Sequence, residues 1–369
     1  MDIGIVKETY VGETRVPLTP IAVGELVRQG NRVVIQSEAG TASGFDDQSY
    51  RERGATVVYS TDEAFSRSEI VLKVYPPSWD EYERLEKGQT LFSFLGLSHG
   101  TKRNLELLLE RRVTAIGFEA IEEDSGNRPV LTAMSEIAGR LIVPIAAHYL
   151  QAQQGGRGIL LGGAPGVAPA TMVVLGAGVV GTNAALCAIA MGTHVIVLDR
   201  DIGRLRALIE RTRDGVVTAA ATRYNIERFL PIADVVIGAV FMEMEATPHL
   251  IDEALVRKMR PRSVFLDVAI DQGGCSTTSR PTTIIDQVYV KEGVTHFCVP
   301  NIPALVPRTA TVALSNILLP YLETITTAGC DAVLNDGGAL AHGFYTRDGY
   351  CLQRKIAQPL ALPFREMAS

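Results

Sequence analysis

The sequence lacks the features of metal-binding, nucleic-acid-binding, and membrane or secreted proteins. Its five cysteines are widely spaced and form no metal-type pair, so we expect reduced thiols and no bound metal. The formal net charge of -6 offers no basic face to a nucleic-acid backbone. No apolar run approaches the length of a membrane span, and the acidic first residues lack the hydrophobic core of a signal peptide. We therefore expect a cytoplasmic protein with no nucleic-acid or membrane partner.

Short β-rich runs alternate with helical patterns in two stretches of the chain. With 369 residues, two domains are expected. The alternation predicts parallel sheets with helices on their faces. The fold class is thus α/β, with two Rossmann-like doubly wound domains and a cleft between them. Strands are expected at 3–6, 32–36, 70–74, 90–95, 172–175, 194–198, 217–221, 235–237 and 264–266, and helices at 21–28, 79–86, 135–154 and 309–326.

A glycine-rich motif follows the apolar run at 172–175. It contains Gly176, Gly178 and Gly181, with Val179 and Val180 between the last two, and it opens a helical pattern. The first glycine permits a tight turn, the second lets the backbone approach a pyrophosphate, and the third lets helix and strand pack closely. The helix N-terminus then presents unpaired N–H groups to phosphate. This context predicts a dinucleotide site.

An acidic residue, Asp199, ends the next predicted strand, at the expected distance after the glycines. An acid there binds both ribose hydroxyls and repels a 2′-phosphate, which favours NAD over NADP. The neighbouring Arg200 leaves NADP open, because a nearby arginine is how such folds accept the extra phosphate. The alternative to a dinucleotide site is a turn-forming glycine cluster beside a surface aspartate.

Several ordered motifs extend the pattern over nearly the whole chain. Together they resemble the L-alanine dehydrogenases of the alanine dehydrogenase / transhydrogenase N-terminal family. The motifs are Lys7-Glu8-Thr9, Glu13-Thr14-Arg15-Val16, Met134-Ser135-Glu136-Ile137-Ala138-Gly139-Arg140, Gly155-Gly156-Arg157-Gly158, Asp267-Val268-Ala269-Ile270-Asp271-Gln272-Gly273-Gly274 and Asn301-Ile302-Pro303-Ala304-Leu305-Val306-Pro307-Arg308-Thr309.

The resemblance implies an NAD-dependent enzyme that interconverts an L-amino acid with its 2-oxo acid and ammonia. It implies a discontinuous substrate domain, residues 1–129 and 308–369, around an NAD-binding domain, residues 130–307. Homo-oligomers, often hexamers, are usual in the family. Sequence pattern by itself leaves open whether the segment after about residue 308 joins the first lobe.

The resemblance also implies residue roles. Arg15 is similar to the arginine that holds the substrate carboxylate, which suits a guanidinium fork. Ser135, Val240 and Asn301 are similar to residues that contact the cofactor. Asp271 is similar to the active-site acid near the nicotinamide. Without the motifs, Arg15 would be a solvated surface residue, Ser135 a helix N-cap, and Asp271 and Asn301 turn residues.

The chain departs from the family at two positions. Tyr75 stands where the family has its second substrate-binding lysine, and Gly96 where it has its catalytic histidine. Lys73 is expected to share a strand face with position 75 and is a candidate to bind the substrate. The Tyr75 phenol and the His99 imidazole are candidates to replace the lost groups. The cofactor loop at 241–245 also differs.

These departures leave three functions open. The first is a dehydrogenase acting on a 2-oxo acid or amino acid other than pyruvate or alanine, since Gly96 removes bulk beside the keto carbon. The second is an imine or opine-type reductase, which needs less carbonyl machinery. The third is a non-catalytic NAD-binding paralogue.

Overall fold

The chain forms two compact units. The computed structural model describes residues 1–97, 102–240 and 249–366. One unit is Met1–Met134 with Val306–Ser369, and the other is Ser135–Leu305. The segment after residue 305 therefore belongs to the first unit.

Strands and helices alternate along most of the described chain. The strands are β1 (Asp2–Ile5), β2 (Arg32–Gln36), β3 (Thr56–Val58), β4 (Ile70–Leu72), β5 (Thr90–Ser93), β6 (Thr114–Gly117), β7 (Thr171–Leu175), β8 (His194–Asp199), β9 (Val217–Ala220), β10 (Val235–Gly238), β11 (Val264–Asp267), β12 (Val288–Lys291), β13 (Val294–Phe297), β14 (Phe344–Arg347) and β15 (Tyr350–Cys351). The helices are α1 (Pro20–Arg28), α2 (Asp47–Arg51), α3 (Thr61–Ser66), α4 (Trp79–Tyr82), α5 (Lys102–Glu110), α6 (Pro129–Tyr149), α7 (Val179–Ala190), α8 (Ile202–Thr212), α9 (Arg223–Phe229), α10 (Glu253–Val256), α11 (Pro307–Ala328), α12 (Cys330–Asp336), α13 (Ala339–His342) and α14 (Arg354–Leu360).

The first unit is built on an eight-stranded sheet of order β15-β14-β6-β5-β4-β1-β2-β3. Strands β1 to β6 run parallel, and β14 joins β6 antiparallel. Because the strands are parallel, the segments that follow β1, β4, β5 and β6 all leave from one edge of the sheet. Ligands of open α/β sheets bind at that carboxyl edge.

The second unit is built on a seven-stranded sheet of order β12-β13-β11-β10-β7-β8-β9. All its strands run parallel except β12, which pairs antiparallel with β13. Counted without β12, this is the 3-2-1-4-5-6 order of dinucleotide-binding folds. The order reverses between β7 and β10, so the glycine motif lies at the switch point. The prediction of an α/β fold with two domains is confirmed.

Helix α6 differs from the prediction at its start. It begins at Pro129 rather than at residue 135, so Ser135 lies inside the helix and does not cap it. By length and composition α6 could also cross a membrane, so the expectation that no segment is apolar enough was wrong. Ile142, Val143 and Ala146 are buried in a hydrophobic core, as in the core helix of a globular unit.

Candidate functional site

Each glycine of the motif after β7 has its own steric reason. A Cβ on Gly176, whose φ is +103°, would lie 2.5 Å from the carbonyl oxygen of Ala239. A Cβ on Gly181 would overlap the carbonyl oxygen of Gly176. At Gly178, which caps α7, a Cβ would meet no described atom within 4 Å. Gly176 and Gly181 are thus required by the fold itself, whereas Gly178 keeps clear a space that a ligand can use.

The carboxylate of Asp199 is tied to the glycine loop. It accepts hydrogen bonds from the backbone N–H of Ala177 at 2.6 Å and of Asp201 at 2.8 Å. Because Asp199 ends β8, next to β7 in the sheet, these contacts fix the acid beside the glycine turn. An acid at this position suits recognition of the ribose hydroxyls and disfavours a ribose that carries a 2′-phosphate.

Asp271 and Asn301 meet at the carboxyl edge of the second sheet. Asp271 lies on a 3₁₀ turn, Val268–Gln272, directly after β11, and Asn301 follows the adjacent β13 with φ of +55°. Burial by the surrounding protein raises the pKa of the Asp271 carboxyl. The backbone N–H of Asn301 partly offsets this rise by donating a hydrogen bond to the carboxylate. Solvent still reaches the side chain. Asp271 can therefore exchange a proton with a bound ligand.

These features fit a nicotinamide dinucleotide. The N-terminus of α7 and the open space at Gly178 suit the pyrophosphate, and Asp199 suits the adenosine ribose. Val179 and Val180 form the first turn of α7, and Val240 follows β10 beside Gly176. Bound NAD would supply the redox chemistry, while the protein supplies orientation and charge.

In the first unit, Arg15 is buried against Glu13. The Arg15 Nε donates to Glu13 Oε1 at 2.8 Å and its Nη2 to Oε2 at 2.6 Å, and Arg15 is only 3% exposed. Its Nη1 lies 3.4 Å from the sulfur of Met134, and its guanidinium stands 5.9 Å from the Phe94 ring centroid. One edge of the fork is thus fixed by an acid, and the other faces apolar side chains.

The backbone around Arg15 is anchored to α11. The N–H of Val16 donates to the Thr311 hydroxyl at 3.1 Å, and the N–H of Thr19 donates to the Ser315 hydroxyl at 3.0 Å. The Thr19 side chain then caps α1. Arg15 is consequently not the solvated surface residue that its sequence position alone suggests.

Lys73 is committed to two acids. It is 1% exposed, and its Nζ lies 2.9 Å from Glu81 Oε1 and 3.1 Å from Glu8 Oε2. Burial raises the pKa of Glu8 to about 7, an effect that Lys73 reduces. Glu8 also accepts the Val74 N–H at 2.6 Å. These contacts pair the charge of Lys73 with two acids inside the protein, and its predicted role in substrate binding stays a prediction.

Tyr75 stacks on Tyr10. Their ring centroids are 3.9 Å apart and the planes differ by 12°. The two tyrosines come from segments after β4 and β1, at the carboxyl edge of the first sheet. Tyr75 is half-buried. Its predicted roles in catalysis and substrate binding stay predictions, and the stack adds an aromatic surface at this position.

Gly96 adopts φ of +57°, and a Cβ there would meet no described atom within 4 Å. Its N–H donates to Glu119 Oε1 at 2.8 Å, and the Leu95 N–H donates to the same carboxylate. The Tyr345 hydroxyl donates to Glu119 at 3.0 Å. Burial raises the pKa of Glu119 above its ordinary value. Glu119 therefore sets the path of the segment that carries Gly96, and the space beside Gly96 is open among the described residues.

Two predicted features lie outside the described residues, His99 and the loop at 241–245. Other residues of the site had no predicted role, namely Glu8, Tyr10, Glu13, Glu81 and Glu119. Glu13 had a local signal, because it precedes Arg15 by two residues in a quoted motif. Glu81 completes a capping box with Ser78, which marks the start of α4 but not the pairing with Lys73. Glu119 contacts residues 95, 96 and 345 and left no such signal.

Comparison with known proteins agrees with the geometry. The model of the alanine dehydrogenase/PNT N-terminal domain matches residues 4–138, and that of the C-terminal domain matches residues 142–354. The chain belongs to the alanine dehydrogenase/PNT family. The family match and the relatives below make it an NAD-dependent oxidoreductase of the class that acts on CH–NH2 groups.

Relatives in this family match the chain over its whole length. An alanine dehydrogenase of Mycolicibacterium smegmatis is 41% identical over 368 residues, which cover 100% of this chain and 99% of the relative. One of Geobacillus stearothermophilus is 40% identical over 370 residues, covering 100% of this chain and 99% of the relative.

Solved structures give the same result. A structure of L-alanine dehydrogenase superposes with a TM-score of 0.92 at 42% identity, over 97% of this chain and 98% of that one. A transhydrogenase from Sinorhizobium meliloti has a TM-score of 0.81 at 22% identity, over 96% of this chain and 99% of that one, and shares the fold.

Proposed function

We propose that this chain interconverts an L-amino acid with its 2-oxo acid and ammonia, and that its substrate is bulkier than alanine or pyruvate. Residues 1–129 with 308–369 would bind the substrate, and residues 130–307 would bind NAD. Arg15 would hold the carboxylate, and Asp271 would take up and return a proton. Ser135, Val240 and Asn301 would contact the cofactor.

The proposal of a bulkier substrate rests on one observation, the set of residues at the positions expected to contact the substrate carbonyl. By the resemblance, Tyr75 and Gly96 stand where the family has its lysine and histidine. Lys73 is paired with two acids, and the space at Gly96 is open among the described residues. A positioned acid or base contributes roughly 10²–10⁴ in rate. Every 2-oxo acid therefore loses two partners here, and only one with a longer side chain than pyruvate gains room in exchange.

Alanine with pyruvate is the second candidate. It is favoured by the full-length identity of about 40% to proteins named alanine dehydrogenase. In that case Tyr75 or His99 would have taken over the missing roles.

Steady-state kinetics of NADH oxidation separate the candidates. With ammonia and a series of 2-oxo acids, we expect kcat/KM for pyruvate at least about a hundredfold below a typical 10⁴ M⁻¹s⁻¹. The double variant Tyr75→Lys with Gly96→His should raise it, although histidine at a positive φ costs on the order of 1 kcal/mol. Tyr59→Lys, at an exposed tyrosine of the same unit, serves as the control.

Each alternative predicts a distinct result. Efficient wild-type turnover of pyruvate would make the chain an alanine dehydrogenase. Reductive turnover with other amines but not with ammonia would indicate an imine or opine-type reductase. NADH binding without turnover of any oxo acid would indicate a non-catalytic paralogue.

Homo-oligomer formation, hexamers included, and a cytoplasmic location stay predictions. Light scattering coupled to gel filtration tests the first, and fractionation of cells tests the second.

A further inference from the structure

An aromatic stack stands at the carboxyl edge of the first sheet, in the unit that carries Arg15. Tyr10 and Tyr75 lie 3.9 Å apart between ring centroids and nearly parallel. Tyr10 is 48% exposed, and the adjacent Val11 is 84% exposed. Apolar surface therefore stays open to solvent on the segment that leads to Arg15, and small-molecule sites commonly combine apolar surface with a few polar groups.

Hydrogen bonds to the backbone fix the two segments that carry these rings. The Tyr75 carbonyl accepts from the Ser93 hydroxyl at 3.1 Å, and the Val74 carbonyl accepts from the Phe94 N–H at 3.1 Å. The Tyr10 carbonyl accepts from the Glu13 N–H at 3.0 Å. Tyr75 is thus fixed next to the strand end that carries Phe94, and Tyr10 is fixed to the turn that leads to Arg15.

The surroundings of the Arg15 guanidinium are apolar as well. Phe94 and Met134 flank it. Lys73 is paired with two acids, Glu8 and Glu81, and Arg15 with one, Glu13, so Lys73 is the poorer partner for a second carboxylate on a substrate. The unit thus offers one cation, Arg15, for a substrate carboxylate, and aromatic rings for the substrate side chain.

We infer that the Tyr10–Tyr75 stack determines specificity, and that the substrate is a monocarboxylic 2-oxo acid or amino acid with an apolar branched or aromatic side chain that packs against the stack. The inference rests on the proposed function, which it makes specific. Tyr10 and Tyr75 bind the side chain, and Arg15 binds the carboxylate.

Binding of 2-oxo acids to the NAD⁺-loaded protein tests the inference without turnover, because NAD⁺ cannot reduce an oxo acid. By calorimetry, we expect 4-methyl-2-oxopentanoate to bind at least about tenfold more tightly than pyruvate or 2-oxoglutarate. Tyr10→Ala should cut this preference by roughly three- to tenfold, the size expected for loss of one stacked ring. Tyr75→Phe should keep it within about twofold, because the ring remains.

Tyr59→Ala, at a 76% exposed tyrosine of the same unit, is the matched control and should leave the preference unchanged. Tyr10→Leu, read together with the melting temperature, guards against misfolding of the alanine variant. Equal binding of pyruvate, tighter binding of 2-oxoglutarate, or a preference unaltered by Tyr10→Ala in folded protein would each overturn the inference. Selective, Tyr10-dependent binding with no NADH oxidation in the presence of ammonia would support the inference and refute the proposed function.

Discussion

Glu13 holds Arg15 through two parallel hydrogen bonds, with both side chains buried. A bidentate pair of this kind fixes the plane of the guanidinium as well as its position. The orientation of the Arg15 guanidinium, the proposed carboxylate anchor, is therefore set by an acid two residues away.

Loss of either partner should show in substrate binding. Arg15→Ala should weaken the binding of a 2-oxo acid by roughly 2–4 kcal/mol, because a bidentate, charge-assisted contact with its carboxylate is lost. Glu13→Gln should raise KM less than Arg15→Ala does, since the guanidinium stays but is no longer held by two carboxylate oxygens. KM and kcat for the preferred oxo acid measure both effects, with Lys7→Ala as an exposed control. An unchanged kcat/KM in Arg15→Ala would place the carboxylate elsewhere.

The glycines of the nucleotide loop should separate binding from folding. Gly178→Val should abolish NAD binding and leave the melting temperature nearly unchanged, because the new side chain enters open space. Gly181→Val should lower the melting temperature, because its Cβ overlaps the Gly176 carbonyl. Calorimetry with NAD and thermal denaturation measure the two effects. Normal NAD affinity in Gly178→Val would show that this loop does not bind the cofactor.

Cofactor choice should depend on the charge of Asp199. The wild type should prefer NADH to NADPH by at least about tenfold, which needs only roughly 1.4 kcal/mol. Asp199→Asn keeps an oxygen for the Ala177 N–H and removes the charge, so the preference should shrink. Asp201→Asn makes the same change two residues away and serves as the control. Equal kinetics of the wild type with both cofactors would mean that Arg200 outweighs the acid.

Glu8 should make folding stability depend on pH. Its pKa is about 7 in the folded protein against 4.5 without the fold, with Lys73, Glu81 and Glu13 as charged neighbours. Between about pH 4.5 and 7 the folded state keeps a proton that the unfolded state releases, so stability falls as pH rises. Glu8 should account for a decline on the order of 1–3 kcal/mol by pH 8.

Glu8→Gln should remove that part of the decline, since the amide does not titrate and keeps an oxygen for the Val74 N–H. Melting temperatures at pH 5 and pH 8 measure it for the wild type, for Glu8→Gln and for the exposed control Glu38→Gln. The same decline in wild type and Glu8→Gln would show that Glu8 is already ionised at pH 5.

The nucleotide half of the molecule could be predicted from local sequence, because strand, glycine turn and helix are adjacent in the chain. The predicted strand at 172–175 and the structure differ by one residue at Thr171. Helix α6 was predicted six residues too short at its start, because the Ser135-Glu136 pair resembles a capping signal. Local pattern could not show that the helix already begins at Pro129.

The substrate half could be predicted only in part. The family motifs pointed to Arg15 and to departures at positions 75 and 96, and the roles of these residues stay predictions. The buried pairing of Lys73 with Glu8 and Glu81 did not, because it depends on three segments that meet only in the fold. Strand period predicted Lys73 and Tyr75 on one face, but β4 ends at Leu72, so neither residue lies in the strand.

The antiparallel pairing of β14 with β6 has a consequence for biosynthesis. The two strands pair although more than 200 residues separate them, and all of Ser135–Leu305 is synthesised in between. On the ribosome, the nucleotide unit can fold while the first unit still lacks β14. Until Tyr345 emerges, Glu119 lacks its phenol donor. The segment that carries Gly96 should therefore reach its final conformation late, after the dinucleotide fold has formed.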